Sequence, residues 1–165
     1  MENKEMLKTN LASRAMRLKQ NILHFGMGKV NLIQGCSEEE VQKLEKQHNV
    51  IFPLSYRIFL KNFGHGIGGK VMSDIDFLYN SLDSLTDIAR NEILIEKGDP
   101  ILPKQAFVFA MRYGEQFMFY DANGLNEDPP VFYYMEGDKE FTKVGDSIFD
   151  IFEEEFKLTK RANKI

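Results

Sequence analysis

The sequence predicts an α+β fold, an antiparallel β-sheet meander covered by helices. Apolar residues recur at helical spacing through the first third of the chain, alternate with period two across short turns between residues 107 and 144, and return to helical spacing at the end. Strands that follow one another through short turns pair antiparallel and leave faces that helices must cover, which separates this order from a doubly wound sheet. With 165 residues, 43% of them apolar, the expectation is one domain over 1–165, large enough for a real core and too small for two.

Met6, Leu7, Leu11, Ala15, Leu18, Ile22 and Phe25 fall near 3.6-residue spacing and predict, within an N-terminal segment of residues 1–30, an amphipathic helix over about 4–24 that ends before Gly26. Fourteen Phe and six Tyr concentrate from residue 52 onward, so this segment is expected at the periphery of the core. Ser37 followed by Glu40 is a capping-box pattern that starts a second helix, with Val41, Leu44 and His48 on one side and an end near Asn49. Val50, Ile51 and Phe52 should run extended into Pro53, because a residue before proline avoids the helical region. Pro53 suits the first turn of a third helix that buries Tyr56, Phe59, Leu60 and Phe63 and stops at Gly64.

A glycine-rich loop, an extended segment over 71–79 and a short helix from Asp83 or Ser84 to about Ile95 come next. Phe107 to Met111 and Phe117 to Tyr120 read as a hairpin around a turn at Tyr113 to Glu115, followed by strands at Val131 to Met135 and Phe141 to Val144. Ser147 caps a last helix with a buried stripe of Ile148, Phe149, Ile151, Phe152 and Phe156, leaving Asp150, Glu153, Glu154 and Glu155 outside.

Charge is unevenly spread. Residues 1–34 hold six bases against two acids, while residues 121–155 hold eleven acids against Lys139 and Lys143, a balance of −9, before a basic tail of Lys157, Lys160, Arg161 and Lys164. Such a negative field repels phosphate and attracts basic partners, which disfavours nucleic acid as a ligand. Cys36 is the only cysteine, so no intramolecular disulfide forms and a reducing compartment suits the chain. No apolar stretch approaches the length of a bilayer span or the character of a signal peptide, so a cytoplasmic location without membrane contact is expected.

Motifs for catalysis are thin. Gly64 to Val71 matches the dinucleotide-binding pattern, but that chemistry needs a strand before the glycines and a helix after them, and here the predicted order is inverted. His24, His48, His65 and Cys36 show no metal-ligand spacing, so no metal or cofactor is expected. A Cys36–His48 nucleophilic pair is allowed by spacing alone, though His48 reads more simply as a core-edge histidine and Cys36 as structural.

Glu38 to Glu45, then Phe52-Pro53 with Tyr56 and Phe59-Leu60, then Asn62-Phe63-Gly64, resemble the signature helix pair of the SUKH superfamily, which includes the yeast cell-wall-synthesis regulator Smi/Knr. Val131 to Tyr134 and Asp146 to Phe152 are similar to that family's late strand and last helix, giving a resemblance over residues 35–158. It departs from the pattern at Phe63, where the family often has glycine, in the glycine-rich insert and in the longer N-terminal helix. The resemblance implies a non-enzymatic protein-binding domain. In bacteria it implies an immunity protein that binds and neutralises a cognate toxin, often a nuclease; in fungi, a regulatory or scaffold protein. Joined to the charge pattern, it leads to an expected partner surface of Asp121, Glu127, Asp128, Glu136, Asp138 and Glu140 with Phe132 and Tyr133 as apolar anchors, docking a toxin or other basic protein.

Overall fold

The computed structural model describes residues 2–163. Helix α1 (Glu2–His24) packs against α3 (Leu54–Phe63), α5 (Ile148–Ala162) and strand β1 (Gly28–Gln34), with Leu11, Ala15, Leu18 and Ile22 buried. The N-terminal segment is therefore part of the core, contrary to the expectation from its lack of aromatics. Aliphatic side chains spaced by three and four residues seal a helix face as well as rings do, and only Met6 of the expected stripe points to solvent.

Helix α2 (Glu38–His48) begins at the expected capping box, in which the Glu40 amide donates to Ser37 Oγ at 3.2 Å and the Ser37 amide donates to Glu40 Oε2 at 2.8 Å. Pro53 occupies the position before α3 and has no side chain to cap it. The first α3 amides are instead taken from a distant loop, Leu54 N–H donating to Glu127 Oε2 at 3.1 Å and Ser55 N–H to the Glu127 carbonyl at 3.0 Å. Phe52, Tyr56, Phe59, Leu60 and Phe63 are all buried, so the helix-pair residues are packing residues.

The glycine-rich segment is a strand, not a loop: β2 (Gly66–Gly69) pairs antiparallel with β1, which the sequence left unassigned. A Cβ on Gly68 would come within 2.8 Å of the Gly28 backbone, and Gly68 holds φ +106°, so only glycine lets the two strands cross under Ile22. Residues 71–79 turn irregularly where an extended run was expected; Val71, Met72, Ile75 and Phe77 are buried without any period, and Met72 takes φ +55°. The expected helix at 83–95 is a single α turn, α4 (Leu85–Ile88), running into a π turn at Ala89–Ile93. Ser84 Oγ donates to the Ser81 carbonyl rather than capping it.

The meander has the order β3 (Ala106–Arg112), β4 (Gln116–Asp121), β5 (Val131–Met135), β6 (Thr142–Gly145), all antiparallel. One face carries Phe107, Phe109 and Tyr120 against Tyr56, and Phe109 also meets Phe152 of α5. The opposite face carries Phe117, Phe119, Phe132 and Tyr134, closed by Phe141, which packs on Phe119 just before β6 instead of opening that strand. The free edge of β3 is protected: Val108 N–H donates to Thr86 Oγ1 of α4 at 3.0 Å, and Met111 exchanges both backbone bonds with Asp76. Helix α5 starts at Ser147 with a capping box and buries all five expected stripe residues. Lys164 lies outside the described residues. Among the described residues no helix is long and apolar enough to cross a membrane.

Candidate partner-binding surface

The six expected acids divide between opposite ends of the four-stranded sheet. Asp121 ends β4, with Glu127 and Asp128 in the following loop, whereas Glu136, Asp138 and Glu140 lie in the connection from β5 to β6 at the other end. At about 3.3 Å per residue the length of β4 puts roughly 16 Å between the two groups.

The first group is occupied with the fold. Asp121 Oδ2 accepts from Asn123 Nδ2 at 2.9 Å, and Glu127 caps α3 while pairing with Lys4 of α1. Burial pushes the Asp128 carboxyl above the ordinary carboxylate range, partly offset by the Ser147 and Ser55 hydroxyls beside it. Of the three, Glu127 ties α1 and α3 to this loop, and Asp128 lies half-buried between the starts of α3 and α5.

The second group is freer. Glu136 and Glu140 are exposed, and Asp138 spends one oxygen on the Met135 amide at 3.0 Å to close the turn. The Glu136 amide donates to the Glu115 carbonyl at 2.9 Å, which brings the β3–β4 turn alongside. Arg112 on β3 then reaches Asp74 at 3.1 Å and faces Glu155 of α5 at 3.9 Å. Burial raises the Glu155 carboxyl, with Arg112 opposing. Asp74, Glu115, Glu136, Asp138, Glu140 and Glu155 thus come to this end of the sheet, where Arg112 is paired with Asp74 and where Tyr113 is 72% and Met135 44% exposed. Of these residues the sequence had singled out Glu136, Asp138 and Glu140 as a surface; Asp74, Glu115 and Glu155 come from three distant segments and share no motif.

Phe132 and Tyr133 point to opposite faces of the sheet, as neighbouring residues of a strand do. Phe132 stacks on Phe119 with ring centroids 5.6 Å apart inside the aromatic face. Tyr133 lies on the other side, its hydroxyl donating to Gln116 Oε1 at 2.9 Å, in a shallow apolar dimple with Ile75, Met111 and Met118 that adjoins the acidic end.

The residues weighed for catalysis are arranged otherwise than spacing alone allowed. His48 packs edge-on against Phe107 at 5.1 Å, and burial pulls its pKa down. Cys36 groups with Glu40 and His65 instead. Burial and the Glu40 charge push its free thiol up to about 12, the reverse of an activated nucleophile. Gly64 to Gly69 is preceded by α3 and followed by no helix that could meet a pyrophosphate.

No curated protein matches the chain. A family model does match, over residues 35–154, more than two thirds of the chain and the stretch that carries α2, α3 and the whole meander. Members of that family are generally binding domains for partner proteins. The helix pair that packs Phe52, Tyr56 and Phe59 under the sheet, and the match that spans it, place the chain in the SMI1 / KNR4 family (SUKH-1).

Proposed function

We propose that this chain is an immunity protein that binds and neutralises a cognate toxin with a basic active face, such as a nuclease. The observation that supports this reading most is the placing of Asp74, Glu115, Glu136, Asp138, Glu140 and Glu155 at one end of the sheet beside exposed Tyr113 and Met135. A nuclease needs positive potential to hold phosphate, so a negative surface is steered to it quickly, and a central aromatic or methionine supplies the apolar anchor that slows release. Tyr133 and its dimple extend that anchor on the α5 side. The acids at Asp121, Glu127 and Asp128 are left out of this surface because Asp121 and Glu127 bond within the fold and Asp128 is half-buried.

Co-expression tests it. The product of the neighbouring gene is produced in cells with and without this chain, scoring survival and co-purification. Rescue together with a stable complex supports the reading. Co-purification without rescue assigns the chain to regulatory or scaffold binding, and neither rescue nor a complex sinks the immunity role.

A further inference from the structure

We propose that Cys36, Glu40 and His65 form a binding site for one divalent transition-metal ion of the zinc type, separate in chemistry from the acidic surface. The three come from different stretches of chain, the link into α2, the first turn of α2, and the turn between α3 and β2. One ligand atom from each, the Cys36 sulfur, a Glu40 oxygen and a His65 ring nitrogen, lies within 4.8 Å of the others. In a tetrahedral zinc site, bonds of about 2.0–2.3 Å set ligand atoms roughly 3.3–3.8 Å apart, so closing on an ion takes movements of about 1 Å. His65 Nε2 already stands 3.0 Å from both Glu40 oxygens.

Each ligand is held by the backbone. Cys36 N–H donates to the Leu60 carbonyl at 2.8 Å, and His65 N–H donates to the Gln34 carbonyl at 2.9 Å. Glu40 Oε2 accepts from the Ser37 amide in the capping box, which fixes the carboxylate and leaves Oε1 for an ion. Gly64 makes room for the sulfur, since a Cβ there would meet Cys36 Sγ at 2.2 Å. The Tyr79 ring sits 5.1 Å from the His65 ring and limits its rotation. Ligands preset in this way lose little freedom on binding.

Sulfur, imidazole nitrogen and one carboxylate oxygen favour zinc and its transition-metal neighbours over magnesium or calcium, which take oxygen alone. The Cys36 side is buried, but the His65 and Glu40 side chains are about a third exposed, at 30% and 34%, and His65 also lines a groove of about 420 Å³, so an ion has a path in. Three protein ligands leave a fourth position for water or for a donor from a bound partner.

The test uses the full chain, stripped with chelator and titrated with Co²⁺, then back-titrated with Zn²⁺. A thiolate-to-cobalt charge-transfer band in the near ultraviolet that saturates at one equivalent and is displaced by Zn²⁺ is expected. Cys36→Ser should abolish the band, and Glu40→Gln, which keeps the capping acceptor, and His65→Gln should each weaken Co²⁺ binding about tenfold or more. Far-ultraviolet circular dichroism of each variant separates loss of binding from loss of fold. Absence of the band at millimolar Co²⁺ in the folded parent, or equal affinity in folded Glu40→Gln and His65→Gln, overturns the site and leaves an ordinary Glu40–His65 pair beside a structural thiol.

Discussion

Arg14 of α1 grips Glu153 of α5 with two parallel hydrogen bonds, Nε to Oε1 at 2.9 Å and Nη2 to Oε2 at 2.8 Å, and the same Nη2 reaches Asp150 Oδ1 at 2.7 Å. The guanidinium also stands 5.6 Å over the Phe149 ring, and the Glu153 bonds above all raise its pKa, so it is charged at every working pH. This fork joins the first helix to the last. Arg14→Ala should destabilise the protein by about 1–2 kcal/mol in urea unfolding, the range of charge-assisted pairs that are part-buried. Arg14→Lys should recover less than half of the loss, because an ammonium keeps the charge and loses the planar two-bond match.

Two carboxylates near this joint should respond oppositely to acid. Burial pushes Asp150 up, but its bonds from Arg14 and from the Asp146 and Ser147 amides outweigh that and hold it below the ordinary range. Its stabilising contribution is complete above the unfolded carboxylate value of about 3.9 and is lost as pH falls through the lower folded value. Asp128 is raised by burial, so its contribution is complete below that unfolded value and is lost as pH rises through the folded one. Asp128→Asn should therefore stabilise the protein at pH 7, by up to about 1 kcal/mol, with the gain vanishing near pH 3. A thermal-melting comparison at the two pH values checks it; equal effects at both would mean that the carboxyl is not perturbed by burial.

Tyr56 and Tyr120 sit with ring centroids 5.3 Å apart in the centre of the core, and their hydroxyls have no hydrogen-bond partner among the described residues. Burial raises both phenols well above the ordinary value. A buried donor without a partner has given up its water for nothing, so Tyr56→Phe and Tyr120→Phe should be neutral or stabilising by about 1 kcal/mol. Tyr120→Ala should cost about 3–5 kcal/mol through the cavity it leaves. Chemical denaturation of the three variants separates the ring from the hydroxyl; a large loss in either Phe variant would show that the hydroxyl is bonded after all.

Helices α2 and α5 were legible because their signals are local: Ser37 and Ser147 announce their starts, and three- and four-residue spacing sets which side chains are buried. The β1–β2 pair was not, since β1 is exposed along most of its length and β2 is nearly all glycine, so neither alternation nor propensity marks them. Their pairing depends on the close approach of Gly28 and Gly68 under Ile22, a contact between residues 40 positions apart. The acid-rich stretch from Asp121 to Glu155 was visible as composition, yet composition cannot show that Glu127 would be spent on capping α3 or that Asp74 would cross to Arg112. Cys36, Glu40 and His65 had no spacing to betray them, because the turn after α3 brings His65 back over α2 only in the folded chain.

The division of the acids between two sheet ends sets the sharpest test of the proposed partner surface. Glu115, Glu136 and Glu140 are exposed, and their side chains carry no hydrogen bond or ion pair among the described residues, so reversing all three to Lys should leave the fold intact. Charges around a docking surface act mainly on the rate of encounter, through a field that salt screens. The triple variant should therefore associate with the proposed toxin partner roughly 10–100-fold more slowly at low ionic strength, and its rate should depend less on added salt than that of the parent. Asp121→Lys changes charge at the far end, about two Debye lengths away at physiological salt, and should leave the rate nearly unchanged. Stopped-flow association across a salt series measures both. An unaltered triple variant would remove the β5–β6 end from the interface, and a slow Asp121→Lys would place the partner at the end that now looks structural.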